Sequence, residues 1–255
     1  MTVKKNPEQV ELMRISGALL ARCLDMLQAA SIPGRSSLEI DAIAEEFIRD
    51  HGAVPVFKNY QPVANIPPYP GSICFSKNSV MVHGIPAVDV VAEPGDVITI
   101  DCGVRLNGWC ADAARLFGVG ETSEEDRDII DATERVLQAG IDACIEGNKL
   151  SDVCHALQNC AEHDTSFFNV MEFCGHAIGQ EMHEAPQVPN FGMPGRGMPL
   201  KAGMVFCLEP MLKKTRTGLG VLPDQWTIAT TDGSTSTHIE HMVVVTESEP
   251  EILTL

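Results

Sequence analysis

The stretch EFCGHAIGQEMHEAP, residues 172–186, sets His176 and His183 seven positions apart among small residues, with an acid and a proline after the second. A lone histidine is ordinarily a hydrogen-bonded structural residue, so its chemistry depends on what the chain brings to it. Four acids are candidates. In GDVITIDCGVRLNGWCADAARLFGV, Asn107-Gly108 reads as the two-residue turn of a hairpin. That turn puts Asp112 opposite Gly103, with Asp101 two residues along the same strand, so both carboxylates share a face. Diagonal neighbours of this kind lie roughly 7–8 Å apart at the backbone, which lets their oxygens converge. Asp101 ends the apolar run DVITI, Glu209 ends GMVFCLEP, and Glu240 sits in THIEHMVVVT on the face opposite His241.

Buried like charges repel and lose hydration, and a cation between them resolves both problems. A single buried acid could pair with an arginine. Four of them, in a chain with only 18 Lys and Arg, favour metal. Asp101, Asp112, His176, Glu209 and Glu240 offer four carboxylates and one imidazole. That is too much charge for one ion and suits two divalent cations with bridging carboxylates. The oxygen-rich set accepts Mn, Fe, Co or Zn without choosing among them. His183 and His83 are then free to face a substrate held at the metals.

The elements that must carry these residues come in two rounds of a helix pair followed by strands. Asn6, Pro7 and Gln9 predict a capped first helix, and Ser36 with Glu39 a second that ends at Gly52. A proline-rich irregular stretch from Pro62 to Gly71 precedes the hairpin. Helices are expected again over Ser123–Gly147 and from Ser151 to about His163, then strands around 170–186, 203–212 and 226–246. HGIP at 83–86 is echoed by HEAP at 183–186, and Gly95-x-Val97 before Asp101 by Gly203-x-Val205 before Glu209. The expectation is a single α+β domain over 1–255, built of two related halves.

Composition narrows the class. The chain of 255 residues is 44% hydrophobic, enough for a sizeable core, and no stretch approaches the roughly 18 apolar residues of a membrane helix. The start MTVKKNPEQVELMR has no apolar core or cleavage site, so no secretory signal is expected. Nine cysteines without a CxxC pair point to a reducing cytoplasm rather than a disulfide framework. A net charge of −17 argues against direct nucleic-acid binding, and the cluster KKTR at 213–216 reads as a solvated loop.

Five motifs together, VHGIP, ITIDCGVRLNGWCADAARLF, EFCGHAIGQEMHEAP, FCLEPM and QWTIATTDGSTSTHIEHMVVVT, resemble the type I methionine aminopeptidases along essentially the whole chain. The resemblance implies the pita-bread fold, a curved antiparallel sheet of two pseudo-symmetric halves covered by helices. It implies two divalent ions, with Asp101 chelating one, His176 and Glu209 binding the other, and Asp112 and Glu240 bridging. Glu209 would shuttle the proton of the attacking water, His183 would stabilise the carbonyl oxygen and His83 would bond to the scissile nitrogen. The implied reaction removes methionine from the N-termini of nascent polypeptides at the ribosome, favouring small second residues, in a cytoplasmic monomer. His83, Tyr69, Cys74 and Trp226 would form the methionine pocket. Ile66 stands where a ring is expected, Met182 where phenylalanine is common and Val63 where a small or polar residue is usual. Ala177, Ser79, Ala113 and Ala114 also depart from the family pattern. The competing readings are a same-fold aminopeptidase with another first-residue preference and a binding protein without catalysis.

Overall fold

The computed structural model describes residues 4–255, so the first three residues of the start lie outside it. The helix α1 (Pro7–Ala30) begins as its cap predicts: Asn6 and Gln9 exchange side-chain and backbone hydrogen bonds, each 2.9 Å long. Ser36 and Glu39 close the same box ahead of α2 (Ser37–Asp50). Met13, Leu20, Leu24 and Leu27 of α1 are fully buried in one core cluster with Ile98, Ile100, Cys102 and Cys110 of the hairpin.

The hairpin Val97–Leu106/Trp109–Gly118 has the expected register, with Gly103 opposite Asp112 and Asp101 opposite Ala114. Positive φ angles at Asn107 (53°) and Gly108 (81°) make the turn one that follows the strand twist. The other edge of Val97–Leu106 pairs with Ile73–Lys77 and then with Val54–Pro55, completing a four-stranded sheet.

The second half repeats the plan with α3 (Glu124–Asp142) and α4 (Leu150–His163), followed by a five-stranded sheet. Its strands run in the order Glu251–Ile252, His241–Val244, Val205–Leu208, Cys174–Ala177, Glu184–Pro189. The echoed glycines match in backbone as well: φ is 93° at Gly95 and 90° at Gly203. The two sheets meet at one antiparallel bridge, where Ala114 and Glu240 exchange backbone hydrogen bonds of 3.2 Å.

Two expectations are corrected. Helix α3 stops at Asp142, not Gly147, because Ile145 and Glu146 are drawn into backbone pairing with Thr246 and Asn148 caps the Ala143 carbonyl. The long strands expected over 170–186 and 226–246 are broken into short ones, with the loop 178–183 interrupting the first. No described helix is long and apolar enough to cross a membrane. All nine cysteines are free thiols, eight of them buried.

Candidate metal centre

The hairpin delivers two acids to one face. Strand alternation aims Asp101 and Asp112 the same way, and Gly103 between them keeps the space open. A Cβ at Gly103 would stand 2.6 Å from Val56 Cγ2, 2.9 Å from Phe57 Cε1 and 3.3 Å from Asp112 Oδ1. The Ala114–Glu240 bridge then brings Glu240 against the same face, and the departure to alanine at 114 leaves a small, fully buried side chain at that seam. Carboxylate oxygens of Asp101, Asp112 and Glu240 lie within 4.8 Å of one another.

The second sheet supplies the rest. His176 faces Cys207 across the strand pair, and Glu209 follows directly after Val205–Leu208. His176 Nε2 lies 3.8 Å from both Asp112 Oδ2 and Glu209 Oε1. Its Nδ1 lies 3.1 Å from the Ala177 carbonyl, which can only accept, so the proton sits on Nδ1 and the Nε2 lone pair faces the acids. All five expected residues therefore converge.

Their electrostatics are unbalanced as they stand. Among the described residues no lysine or arginine pairs with these four acids; their only ion-pair contacts are with His176 and His238. Asp101 Oδ1, Asp112 Oδ1 and Glu240 Oε1 are buried without hydrogen-bond partners. Burial pushes the Asp101 carboxyl up to about 7. Burial, then the charges of Glu240 and Asp101, raises Asp112 well above the ordinary range. Glu209 and Glu240 are raised in the same way, by burial first and neighbouring acids second. His176 is pushed down to about 3 by burial and by His183, which keeps its ring neutral. Four acids that resist ionising, Asp112 and Glu240 buried and Asp101 and Glu209 partly so, beside a neutral imidazole with a free lone pair, fit divalent cations and little else.

Above this floor lies a cavity of about 270 Å³. Phe57, Tyr60, Pro62, Tyr69, Cys74, Met182 and Trp226 form its apolar wall, and His83 and His183 reach into it from opposite ends of the sequence echo. The Tyr69 hydroxyl donates to the Ile73 and Gly84 carbonyls, and its ring meets Trp226 edge-on at 5.2 Å. Trp226 is fixed in turn by Nε1 donating to the Pro67 carbonyl at 2.8 Å. His83 holds a left-handed backbone, φ 58°, costly for a non-glycine residue, and burial lowers its ring to about 4. The His183 ring stands 4.4 Å from that of His176, and its Nδ1 is 3.0 Å from the Tyr60 hydroxyl.

Ile66 and Val63 do not line the cavity: Ile66 packs half-buried against the core and Val63 is 47% exposed. Phe57 and Tyr60, which sequence reasoning passed over, supply rings to the wall instead. They lie in an irregular segment with no periodicity to mark them. His238 was missed too, with Nε2 buried without a hydrogen-bond partner and 3.9 Å from Glu209 Oε2. Its i, i+2 spacing from Glu240 was the available signal.

The sequence matches the model of metallopeptidase family M24 over residues 11–247. It is 46% identical to methionine aminopeptidase 1 of Mycobacterium tuberculosis, over 99% of this chain and 94% of that protein. The structure superposes on methionine aminopeptidase from Rickettsia prowazekii with a TM-score of 0.94 at 33% identity, covering all of both chains. It also superposes on an Xaa-Pro dipeptidase from Bacillus anthracis, with a TM-score of 0.76 at 20% identity. That match covers 99% of this chain and 62% of the other, and at such identity it shows the fold alone.

Proposed function

This chain belongs to metallopeptidase family M24, and from that premise we propose that it removes the N-terminal methionine from proteins and peptides. The observation that carries the reading is the convergence of Asp101, Asp112 and Glu240 at the floor of a ring-walled pocket. Asp101, Asp112, His176, Glu209 and Glu240 would hold two divalent ions of the Mn, Fe, Co or Zn class. Such ions supply Lewis acidity toward the peptide carbonyl and lower the pKa of water.

The chain's own residues do the remainder. The methionine side chain enters between Tyr69, Trp226, Phe57 and Tyr60, whose rings favour a thioether sulfur, with Cys74 and Met182 filling the wall. The free amino group points to the acids, so only a first residue fits. Glu209 takes a proton from the attacking water and returns it to the leaving nitrogen as the C–O bond forms and the C–N bond breaks. With the Tyr60 hydroxyl as donor to His183 Nδ1, 3.0 Å away, the His183 proton would sit on Nε2 and bond to the carbonyl oxygen as that oxygen gains charge. His83, neutral at working pH, donates to the scissile nitrogen. Crowding by the two histidines favours small second residues.

We place the enzyme in the cytoplasm as a monomer and as one catalytic domain over 1–255, acting on nascent N-termini near the ribosome. Mass analysis of the reconstituted protein and of its products tests the reading. The expected result is about two divalent ions per chain and free methionine from a Met-Ala-Ser peptide. No methionine release with any of the four metals would contradict it.

A further inference from the structure

The loop 178–183 carries Met182 and His183 to the pocket, and the carboxylate of Glu184, which begins the strand after it, ties that loop down. Glu184 Oε1 accepts the Gln180 N–H at 3.1 Å, while Oε2 accepts from Lys5 Nζ at 3.0 Å. One carboxylate thus closes the loop on itself and ties it to the segment ahead of α1. The Lys5 side chain is 1% exposed and that of Glu184 is 22%. An ammonium so placed has given up nearly all its water, and only a charge-assisted bond of good geometry offsets that loss.

The surrounding backbone is shaped to this pair. A Cβ at Gly179 would stand 2.3 Å from Glu184 Oε1 and 2.9 Å from Lys5 Cε. The Lys5 N–H donates to the Gly203 carbonyl at 2.8 Å, which fixes the root of the side chain. A surface ion pair contributes little and needs no such cradle.

We propose that Lys5 is a positioning residue for His183. Its ammonium fixes Glu184, Glu184 closes the loop, and the loop aims the His183 imidazole at the substrate carbonyl. This rests on the reading of His183 given above. Among the described residues the Tyr60 hydroxyl is the one hydrogen-bond partner of the His183 ring, and the residue is exposed at the pocket mouth. The aim of the ring therefore depends on the backbone beneath it. Misplacement by about 1 Å can cost ~10²-fold in rate, and a loop freed at one of its anchors should lose on the order of tenfold.

Lys5→Met keeps the apolar stem and removes the charge, whereas Lys5→Arg keeps the charge. With full-length, metal-loaded protein and a Met-Ala peptide, Lys5→Met should lower kcat about tenfold while KM and bound metal stay near parent values. Lys5→Arg should recover most of the loss. A second readout needs no turnover: in metal-free protein with labelled histidine rings, the His183 Cε1 resonance should move in Lys5→Met and return in Lys5→Arg. Parent kcat together with a parent His183 resonance in Lys5→Met overturns the proposal, as does a variant that only melts lower. If the parent itself releases no methionine, the functional reading fails, and the His183 resonance still decides whether Lys5 positions it.

Discussion

Asp112 faces His176 at 3.8 Å, shares a cluster with Asp101 and Glu240, and leaves Oδ1 buried without a partner. Asp112→Asn or Glu240→Ala should therefore weaken binding of both ions and leave the fold recognisable. The loss of kcat/KM should exceed the roughly 10–100-fold that removal of an outer partner of a metal ligand costs. Peptide hydrolysis and isothermal metal titration check this, and near-parent turnover at saturating metal would remove the two-ion assignment. At this scale the five proposed ligands were legible because acids ending apolar runs and a histidine among small residues are chemically conspicuous. Phe57 and Tyr60 were not, since rings in an irregular segment carry no signal until the chain folds them into the cavity wall. Ile66 is absent from the cavity lining and packs half-buried against the core cluster that includes Tyr69 and Trp226, a difference that its place in a motif does not carry.

The hairpin is the element that decides the site. Its register was readable from Asn107-Gly108, because a turn of that type leaves one pairing and a one-residue slip would reverse every face. The end of α3 was not readable, because pairing with Thr246, about a hundred residues away, stops the helix rather than any local breaker. Two glycines on the hairpin separate stability from function. Gly108→Ala meets nothing within 4 Å but puts a side chain at φ 81°, so it should cost about 1 kcal/mol in urea unfolding and leave kcat/KM unchanged. Gly103→Ala drives a Cβ into Val56, Phe57 and Asp112, so it should cost about 1–3 kcal/mol and also weaken metal and raise KM. Equal effects of the two variants on metal affinity would contradict this division.

Across the whole molecule, the first half contributes Asp101 and Asp112, and the second contributes His176, Glu209 and Glu240. Ions held by these proposed ligands would bind the folded state only and so stabilise it. At a hundredfold excess over Kd one such ion adds about 2.7 kcal/mol, so chelation should lower Tm by roughly 5–10 °C for each site emptied. The metal-free protein should also lose stability as pH rises. Its acids have raised folded pKa values, so their contribution is present below the unfolded value of about 4 and is lost as pH rises through the folded values, about 7 for Asp101, with Asp112, Glu209 and Glu240 raised in the same direction. Thermal scans from pH 5 to 8 with and without metal should diverge, the metal-free Tm falling more steeply; parallel curves would contradict the buried-acid account. The duplicated plan of helix pair and sheet was visible in the sequence echoes, whereas the pairings that join the halves, the Ala114–Glu240 bridge and Ile228–Thr230 against Val80–Val82, were not, because they link segments with no shared motif. Methionine removal at this seam is tested most directly by kcat/KM for matched peptides beginning Met-Ala, Leu-Ala and Pro-Ala. Ring–sulfur contacts of about 0.3–1.5 kcal/mol each should make the methionine peptide the best substrate, with leucine next and proline last. A leucine or proline peptide cleaved tenfold faster than the methionine peptide would contradict it.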